Sequence, residues 1–339
     1  MGAPPPAGRG RVHARDRARA LLARRCAPPG DRGRGGRLRR RLRQRSPRAV
    51  VGAWRAGSCR VRQRLWLGAV GQATKQIPLG TAVTALVHRY NPVVVAQQIA
   101  TLEALFPGRA FLGVGSGEAM NEVPAGMDYP DTGEQLKRTE EALTIVTRLL
   151  DGETVDFDGE FFRAKRARLY TLPTRRPPVY MSAFYEGSAE VAGRLADGVW
   201  TLGDPKEAPK VIAAYRRGCE QAEREPGEVI LQTSFSWAED DETALEHLRE
   251  WKGTLVDENY TDPVVDPAAI YRKAEKEISD DDLESQVIVS SDPSKHVKRL
   301  ETLQALGATV LVAMNQSGAD PHAAIRVYGE QVLPELRSA

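Results

Sequence analysis

A glycine-rich segment ending in two carboxylates is the part of this sequence whose residue types could carry out chemistry. Residues 113–122 read GVGSGEAMNE and follow directly on the apolar run 110–112. Glycine at alternate positions lets a ring or a ligand backbone approach closely, and Glu118 at a strand end can give or take a proton. The pattern predicts a cofactor-binding loop, with a solvated glycine-rich turn as the alternative. It lacks the G-x-G-x-x-G spacing of dinucleotide sites.

A second candidate segment covers residues 80–92, which read GTAVTALVHRYNP. A strand end runs here into a loop whose polar groups could contact a ring or its tail. A lone histidine in such a loop, like His88, is more often structural than catalytic. Asn91 followed by Pro92 is most simply a helix start, because asparagine caps helices and proline suits the first turn.

The elements that must position these segments alternate regularly between strands and helices. Apolar runs predict buried strands, each followed by a 3.6-residue apolar period, and residues 152–172 predict a β-hairpin with a turn at Asp158-Gly159. One helix is well bounded, with Asp292 as N-cap, Pro293 at its first position and Gly307 as its stop. The strands are predicted at 77–83, 110–115, 179–183, 198–202, 229–236 and 308–314.

This alternation predicts an α/β fold with a parallel sheet covered by helices. Such a sheet is either doubly wound or closed into an eight-stranded TIM barrel. Six strand and helix units are two fewer than a barrel holds. Residues 1–64 are about long enough for the two missing units.

Charge divides the chain near residue 64. Residues 1–64 contain 20 arginines, no lysine and two acids, whereas residues 65–339 contain 28 basic and 43 acidic residues. The first segment has few apolar residues with which to build a core. We therefore predict an Arg/Gly/Pro-rich segment 1–64, disordered or translated out of frame, in place of the first two βα units, and a barrel domain 65–339. A nucleic-acid-binding basic arm and a targeting signal are the alternatives.

The rest of the composition excludes several classes of protein. No apolar run approaches the roughly 20 residues of a membrane span, so the sequence predicts a soluble protein without a membrane partner. Three cysteines without metal-like spacing favour a reducing cytoplasm over a disulfide framework. The histidines show no paired spacing with carboxylates, and we predict no metal. Those considered are His88, His247, His296 and His322.

Several blocks together resemble the luciferase-like flavin and deazaflavin oxidoreductases, and most of all the branch that uses coenzyme F420 and includes glucose-6-phosphate dehydrogenases. The resemblance runs from about Trp66 to the end of the chain and covers nothing before residue 65. The blocks that carry it are 80–92, 113–122, 156–162, 178–180, 192–194, 197–198 and 289–293.

The resemblance implies a luciferase-like TIM barrel that holds F420, a deazaflavin that carries a hydride at its C5 atom. It implies a non-prolyl cis peptide at Ala82-Val83 that bulges against the ring, and Glu118 as an acid or base beside a ring nitrogen. The other residues implied to contact the cofactor are Ser116, Gly117 and Asn121, with Ser182 and Ala183 lining the site of its tail. Many members are dimers, which leaves a homodimer open.

The chain departs from this family in two places. An Asp-His-Phe segment, whose histidine is the base toward substrate, is absent, since His13 alone precedes His88. The positions that hold cations for a sugar phosphate read Thr261-Asp262, Gln286 and Pro205. We therefore expect hydride transfer to or from a small alcohol, carbonyl or activated double bond, not glucose 6-phosphate. An FMN-dependent monooxygenase and a non-catalytic barrel with a nucleic-acid-binding arm remain alternatives.

Overall fold

Parallel strands form the centre of the protein. The computed structural model describes residues 58–258, 262–318 and 321–338, with side chains from residue 65 to residue 336. A seven-stranded sheet has the order β1-β2-β5-β6-β7-β8, with β9 also paired to β7, and every pairing is parallel. The strands are β1 Leu79–Ala85, β2 Ala110–Gly115, β5 Val179–Ser182, β6 Gly198–Leu202, β7 Glu228–Ser236, β8 Ile288–Val289 and β9 Val310–Asn315.

Helices connect consecutive strands of this sheet. α2 begins as predicted, because the Asn91 side chain accepts from the Val93 N–H at 2.9 Å and Pro92 occupies the first turn. α10 also matches its prediction: Asp292 accepts from the Ser294 N–H at 2.9 Å, and Gly307 follows with φ +102°. The helices are α1 Ser58–Ala73, α2 Pro92–Leu105, α3 Ala119–Glu122, α4 Thr132–Leu150, α5 Glu186–Leu195, α6 Ala208–Gln221, α7 Asp241–Arg249, α8 Pro267–Glu277, α9 Asp280–Gln286, α10 Pro293–Ala305, α11 His322–Val327 and α12 Leu333–Ser338.

The two faces of the sheet have different surroundings. Leu112, Met181 and Leu231 point toward the helices and are at most 2 % exposed. On the opposite face the Phe111 ring lies 5.8 Å from that of Tyr180 and 6.4 Å from that of Trp200. The helix-facing side therefore holds the main core, and the other face carries a layer of aromatic side chains, as the interior of a barrel does.

The hairpin forms with a different boundary from the predicted one. Its strands are β3 Val155–Asp158 and β4 Arg163–Ala167, and they pair antiparallel. Phe161 and Phe162, predicted to open the second strand, belong to the turn instead. The Glu141 carboxylate of α4 accepts their backbone N–H groups at 3.0 Å each, which occupies the donors that a strand would use.

The boundary predicted at residue 65 falls inside a helix. α1 begins at Ser58 and so includes residues 58–64. Arginine is a good helix former, and the helix is fixed by Leu67, which is 5 % exposed, and by Gly71, which lies against the Phe106 ring. The predictions for residues 1–57 lie outside the described residues. Sequence reasoning also missed β8 and a π-helical turn at Tyr328–Val332.

Candidate active site

The segments that follow β1 and β2 meet at one edge of the sheet. The two strands are parallel neighbours, and Ala85 is in register with Gly115. Because parallel strands end on the same side, the segment 86–91 and the loop 116–118 lie together at the carboxyl-terminal edge, where barrel enzymes place their reactive groups. Both segments singled out in the sequence are thus brought to one place.

A cis peptide joins Ala82 to Val83, at the position that the family resemblance implied. The pairing of β1 with β2 shifts register there, between Thr81 and Thr84. Val83 is directed at the next two strands: a Cβ placed on Gly115 would lie 2.7 Å from Val83 Cγ2 and 3.5 Å from Ser182 Cβ. The structure therefore brings together Val83, Gly115 and Ser182 from three adjacent strands.

Glu118 is held at the start of the short helix α3. Its backbone is extended, and its carbonyl accepts from the Asn121 and Glu122 N–H groups at 2.9 and 3.2 Å. The Asn121 side-chain amide donates to Glu118 Oε2 at 2.7 Å. Asn121 is buried, Glu118 and Gly117 are half-buried, and Ser116 is exposed. The loop thus presents a partly accessible carboxyl group, and the buried side-chain amide of Asn121 fixes its orientation.

Gly117 allows the loop to lie directly on β1. Its φ is +93°, and a Cβ there would lie 2.8 Å from the Ala85 Cβ. Its carbonyl accepts from the Tyr129 hydroxyl at 3.2 Å. A side chain at this position would both strain the backbone and push the loop away from the strand, so glycine is required for two independent reasons.

An arginine and a second glutamate, which belong to the two segments but to which sequence reasoning assigned no role, lie beneath this loop. Arg89 Nη1 donates to the Asn121 carbonyl at 2.9 Å, and Arg89 Nε lies 3.4 Å from Glu122 Oε2. Glu122 is fully buried. The available sequence clue was its position four residues after Glu118, which places it on the same side of one helical turn.

His88 is buried at the edge of the same site. It is 8 % exposed, and neither ring nitrogen has a hydrogen-bond partner among the described residues. Its ring stacks on Tyr129 with centroids 5.6 Å apart. Burial first, and then the charges of Arg138 and Arg89, lower the pKa of His88 to about 4, so the imidazole is neutral near pH 7.

The end of β5 supplies the residues that the resemblance assigned to a cofactor tail. Ser182 is half-buried and Ala183 is buried. The Ala183 N–H donates to the Trp200 carbonyl at 2.9 Å and is therefore committed to the sheet. Phe184 and Tyr185 follow and are exposed, at 40 and 66 %. This edge is lined by aromatic surface more than by backbone donors.

Within residues 58–258, 262–318 and 321–338, no cluster of three His, Cys, Asp or Glu side chains could hold a metal ion. None of the helices in that part of the chain has the length and apolar character needed to cross a membrane.

Comparison with known protein families agrees with this geometry. Residues 52–310 match the sequence model of a family described as luciferase-like monooxygenase. The chain belongs to this luciferase-like family. Relatives named F420-dependent glucose-6-phosphate dehydrogenase include one from Microbacterium testaceum, 37 % identical over 80 % of this chain and 82 % of its own length. Another, from Nakamurella multipartita, is 37 % identical over 80 % of this chain and 81 % of its own length.

Similar solved structures confirm the predicted fold class. An F420-dependent secondary alcohol dehydrogenase in complex with an F420-acetone adduct has a TM-score of 0.76 and is 31 % identical, covering 81 % of this chain and 84 % of its own. The coenzyme F420 dependent tetrahydromethanopterin reductase of Methanopyrus kandleri has a TM-score of 0.68 at 22 % identity, covering 81 % of this chain and 87 % of its own. At this identity the similarity shows the fold alone. The sheet described above is thus part of a luciferase-like TIM barrel.

Proposed function

We propose that this luciferase-like protein is an F420-dependent oxidoreductase that transfers a hydride between the deazaflavin and a small organic substrate. The curated relatives and the alcohol dehydrogenase structure carry F420 in their names. The single observation that carries the proposal is the junction of β1, β2 and β5. There Val83 lies against Gly115 and Ser182, and Glu118 stands at the edge.

The residues at this junction fit a flat, tricyclic cofactor. Val83 provides an apolar contact that could support a ring, and Gly115 leaves room for the Val83 side chain on β2. Ser116, Gly117 and Asn121 would lie along the cofactor on the β2 side, and Ala82 and Val83 beneath it. Ser182 and Ala183 would lie toward its tail.

The bound deazaflavin would supply a hydride donor or acceptor, and the chain supplies the proton. Glu118 is partly accessible and is held by Asn121, so its carboxyl group can give or take a proton at a ring nitrogen as the charge there changes. Gly117 keeps this carboxyl group close to β1, and the buried layer beneath the loop excludes water from that side.

The substrate is proposed to be an alcohol, a carbonyl compound or an activated double bond without a phosphate group. The positions that the resemblance associates with phosphate-binding cations include Asp262 and Gln286, which are exposed and cannot neutralise a dianion. Lys206, which follows Pro205 in the sequence, is flanked by the acidic residues Asp204 and Glu207. A phosphate dianion is bound strongly by charge-assisted hydrogen bonds, which this set provides poorly. The proposed dehydrogenase would therefore favour uncharged substrates such as secondary alcohols.

Cofactor titration tests the proposal directly. We expect F420 added to the purified protein to be bound, with quenching of its fluorescence, and FMN to bind more weakly. Preference for FMN would favour a monooxygenase of the same family, and binding of neither cofactor would contradict the proposal. Duplex nucleic acid is the third ligand; salt-sensitive binding of it, without F420 binding, would support the basic-arm alternative.

A carboxylate substitution tests the role of Glu118. Glu118→Gln should retain F420 binding and lose about 10²- to 10⁴-fold in hydride transfer, because the amide cannot exchange a proton. Glu186→Gln, at an exposed carboxylate that begins α5, is the matched control and should leave the rate unchanged. Secondary alcohols and glucose 6-phosphate are compared in the same assay. Turnover is expected to be slow, since the sequence lacks the Asp-His-Phe segment.

A further inference from the structure

The Arg89 side chain connects the segment after β1 to the loop that carries Glu118. We propose that Arg89 is a positioning residue, which fixes the Glu118 carboxyl group by holding Asn121 and Glu122 of α3. The role in catalysis rests on the proposed function, whereas the role in holding the loop concerns the protein alone.

The contacts form a continuous path. Arg89 Nη1 donates to the Asn121 carbonyl at 2.9 Å, while the side-chain amide of the same asparagine donates to Glu118 Oε2 at 2.7 Å. Arg89 therefore holds the backbone of the residue whose side chain orients the carboxyl group. A shift of the Asn121 backbone would carry its amide away from Glu118, because the two groups belong to one short residue.

A second contact fixes the direction of the arginine. Arg89 Nε lies 3.4 Å from Glu122 Oε2, and Glu122 is fully buried. Two different nitrogens of one planar guanidinium thus reach two consecutive residues of α3, which a single ammonium group could not do with the same geometry. The guanidinium carbon also lies 5.2 Å from the centre of the Tyr90 ring.

Burial argues for positioning more than for stability. The Arg89 side chain is 12 % exposed, and its Nε and Nη2 atoms have no hydrogen-bond partner among the described residues, so the contact of Nε with Glu122 is an ion pair only. Removing two charges from water costs free energy that their attraction only partly returns, so a buried pair of this kind is weak evidence of a stabilising role. Geometric control of Asn121 is the function that the contacts support.

The first experiment needs no cofactor. Hydrogen exchange of the Asn121 side-chain amide, followed by NMR, reports directly on its bond to Glu118. We expect Arg89→Met to speed this exchange by at least about tenfold, as Glu118→Ala should by removing the acceptor, because both loosen the same bond. Unchanged exchange in a folded Arg89→Met protein would overturn the proposal, even if its melting temperature fell.

Arg138 offers a matched control. It pairs with Glu134 at 2.6 Å and its Nη1 lies 3.4 Å from the Val87 carbonyl, so it reaches the same β1–α2 segment from α4. Arg138→Met should leave the Asn121 exchange at the wild-type rate. Arg89→Lys keeps the charge with one nitrogen and should give intermediate exchange; it also serves if Arg89→Met fails to fold. Wild-type exchange in Arg89→Lys together with an unfolded Arg89→Met would assign Arg89 to the fold alone.

The second experiment measures F420 affinity in a double-mutant cycle. Arg89→Met and Asn121→Ala should each weaken F420 about tenfold, and the double variant should be no weaker than Asn121→Ala, because Arg89 acts through Asn121. Additive losses would contradict that path. If the wild-type protein does not bind F420, the proposed function fails, whereas the exchange measurement still decides the role of Arg89.

Discussion

Two glycine-containing regions of this protein use the absence of a side chain for different purposes. Between α5 and α6, a Cβ on Gly193 would lie 2.2 Å from the Tyr215 carbonyl oxygen, and one on Gly218 would lie 2.2 Å from that of Glu190. At the edge of β1 and β2, Gly115 and Gly117 instead face the side chains of Val83 and Ala85. The first region brings two helix backbones together, and the second lets the end of β2 and the Glu118 loop pack on side chains of β1.

Buried polar groups also differ between the two regions: those of the helix pair have hydrogen-bond partners, and several at the loop have none within the described part of the chain. In the helix pair, the buried Tyr215 hydroxyl accepts from the Gly227 N–H at 2.9 Å, and Arg217 bonds to Glu186 at 2.7 Å. At the loop, both ring nitrogens of His88 and Arg89 Nη2 are buried without a hydrogen-bond partner among the described residues. Unpaired buried polar atoms cost stability, and their concentration at one place is typical of a functional site.

The largest expected effect is at the helix pair. Gly193→Ala should lower the free energy of unfolding by about 3 kcal/mol or more, because the new methyl group meets backbone atoms that cannot rotate away. Gly187→Ala, in the same helix, meets nothing closer than Leu136 Cδ2 at 3.8 Å and should raise it by roughly 0.5–1 kcal/mol. Urea unfolding of both variants measures the difference. Equal effects would show that the helices can separate freely.

A smaller expected effect is the pH dependence of stability that His88 produces at the loop. The pKa of His88 is lowered from 6.5 to about 4 in the folded protein, so the unfolded chain takes up the proton first as pH falls. Stability present above pH 6.5 is therefore lost progressively toward pH 4, by about 2–3 kcal/mol. Burial also lowers the pKa of His296, which adds to the loss in the same direction.

The variant His88→Phe should reduce this pH dependence and raise stability at pH 6 by about 1–2 kcal/mol, because two unpaired nitrogens are removed. Thermal unfolding between pH 4 and pH 7 supplies the measurement. An unchanged slope in His88→Phe would mean that this imidazole is hydrated in solution.

The sequence predicted the elements of both regions better than it predicted their contacts. β2 and β6 have the predicted bounds because each is a short apolar run ended by a change of composition, and α10 has its predicted caps. Local chemistry decides such features. The bounds of the hairpin failed because Glu141, distant in sequence, captures the backbone of the turn.

The candidate site shows the same limit. Glu118 could be selected from its own segment, whereas the family resemblance pointed to Asn121 and located the cis peptide at Ala82-Val83, which the structure contains. Arg89 could not be selected, because its partners lie 32 residues away and meet it only when β1 and β2 pair. The cofactor contacts themselves stay predictions that titration must test.

A comparison of alanine substitutions at Gly117 and Gly126 separates the cost of backbone strain from the cost of a displaced loop. Gly117→Ala should lower stability by about 1–2 kcal/mol, because φ is +93° and the new methyl group meets Ala85. Gly126→Ala has a similar φ of +79° with nothing within 4 Å, and should cost about 1 kcal/mol from strain alone. Only Gly117→Ala should also weaken F420 binding. Equal F420 affinity in the two variants would contradict a cofactor site at this loop.

The smallest expected effect compares two helix caps. Asn91 caps α2 beside the loop, and Asp292 caps α10; each side chain accepts one backbone N–H at 2.9 Å. Alanine at either position should lower the free energy of unfolding by about 1 kcal/mol, measured by urea unfolding. Because Asn91 follows Arg89 by two residues, Asn91→Ala should also speed exchange of the Asn121 side-chain amide, whereas Asp292→Ala should not. Identical exchange in the two variants would show that the start of α2 and the Glu118 loop are mechanically independent.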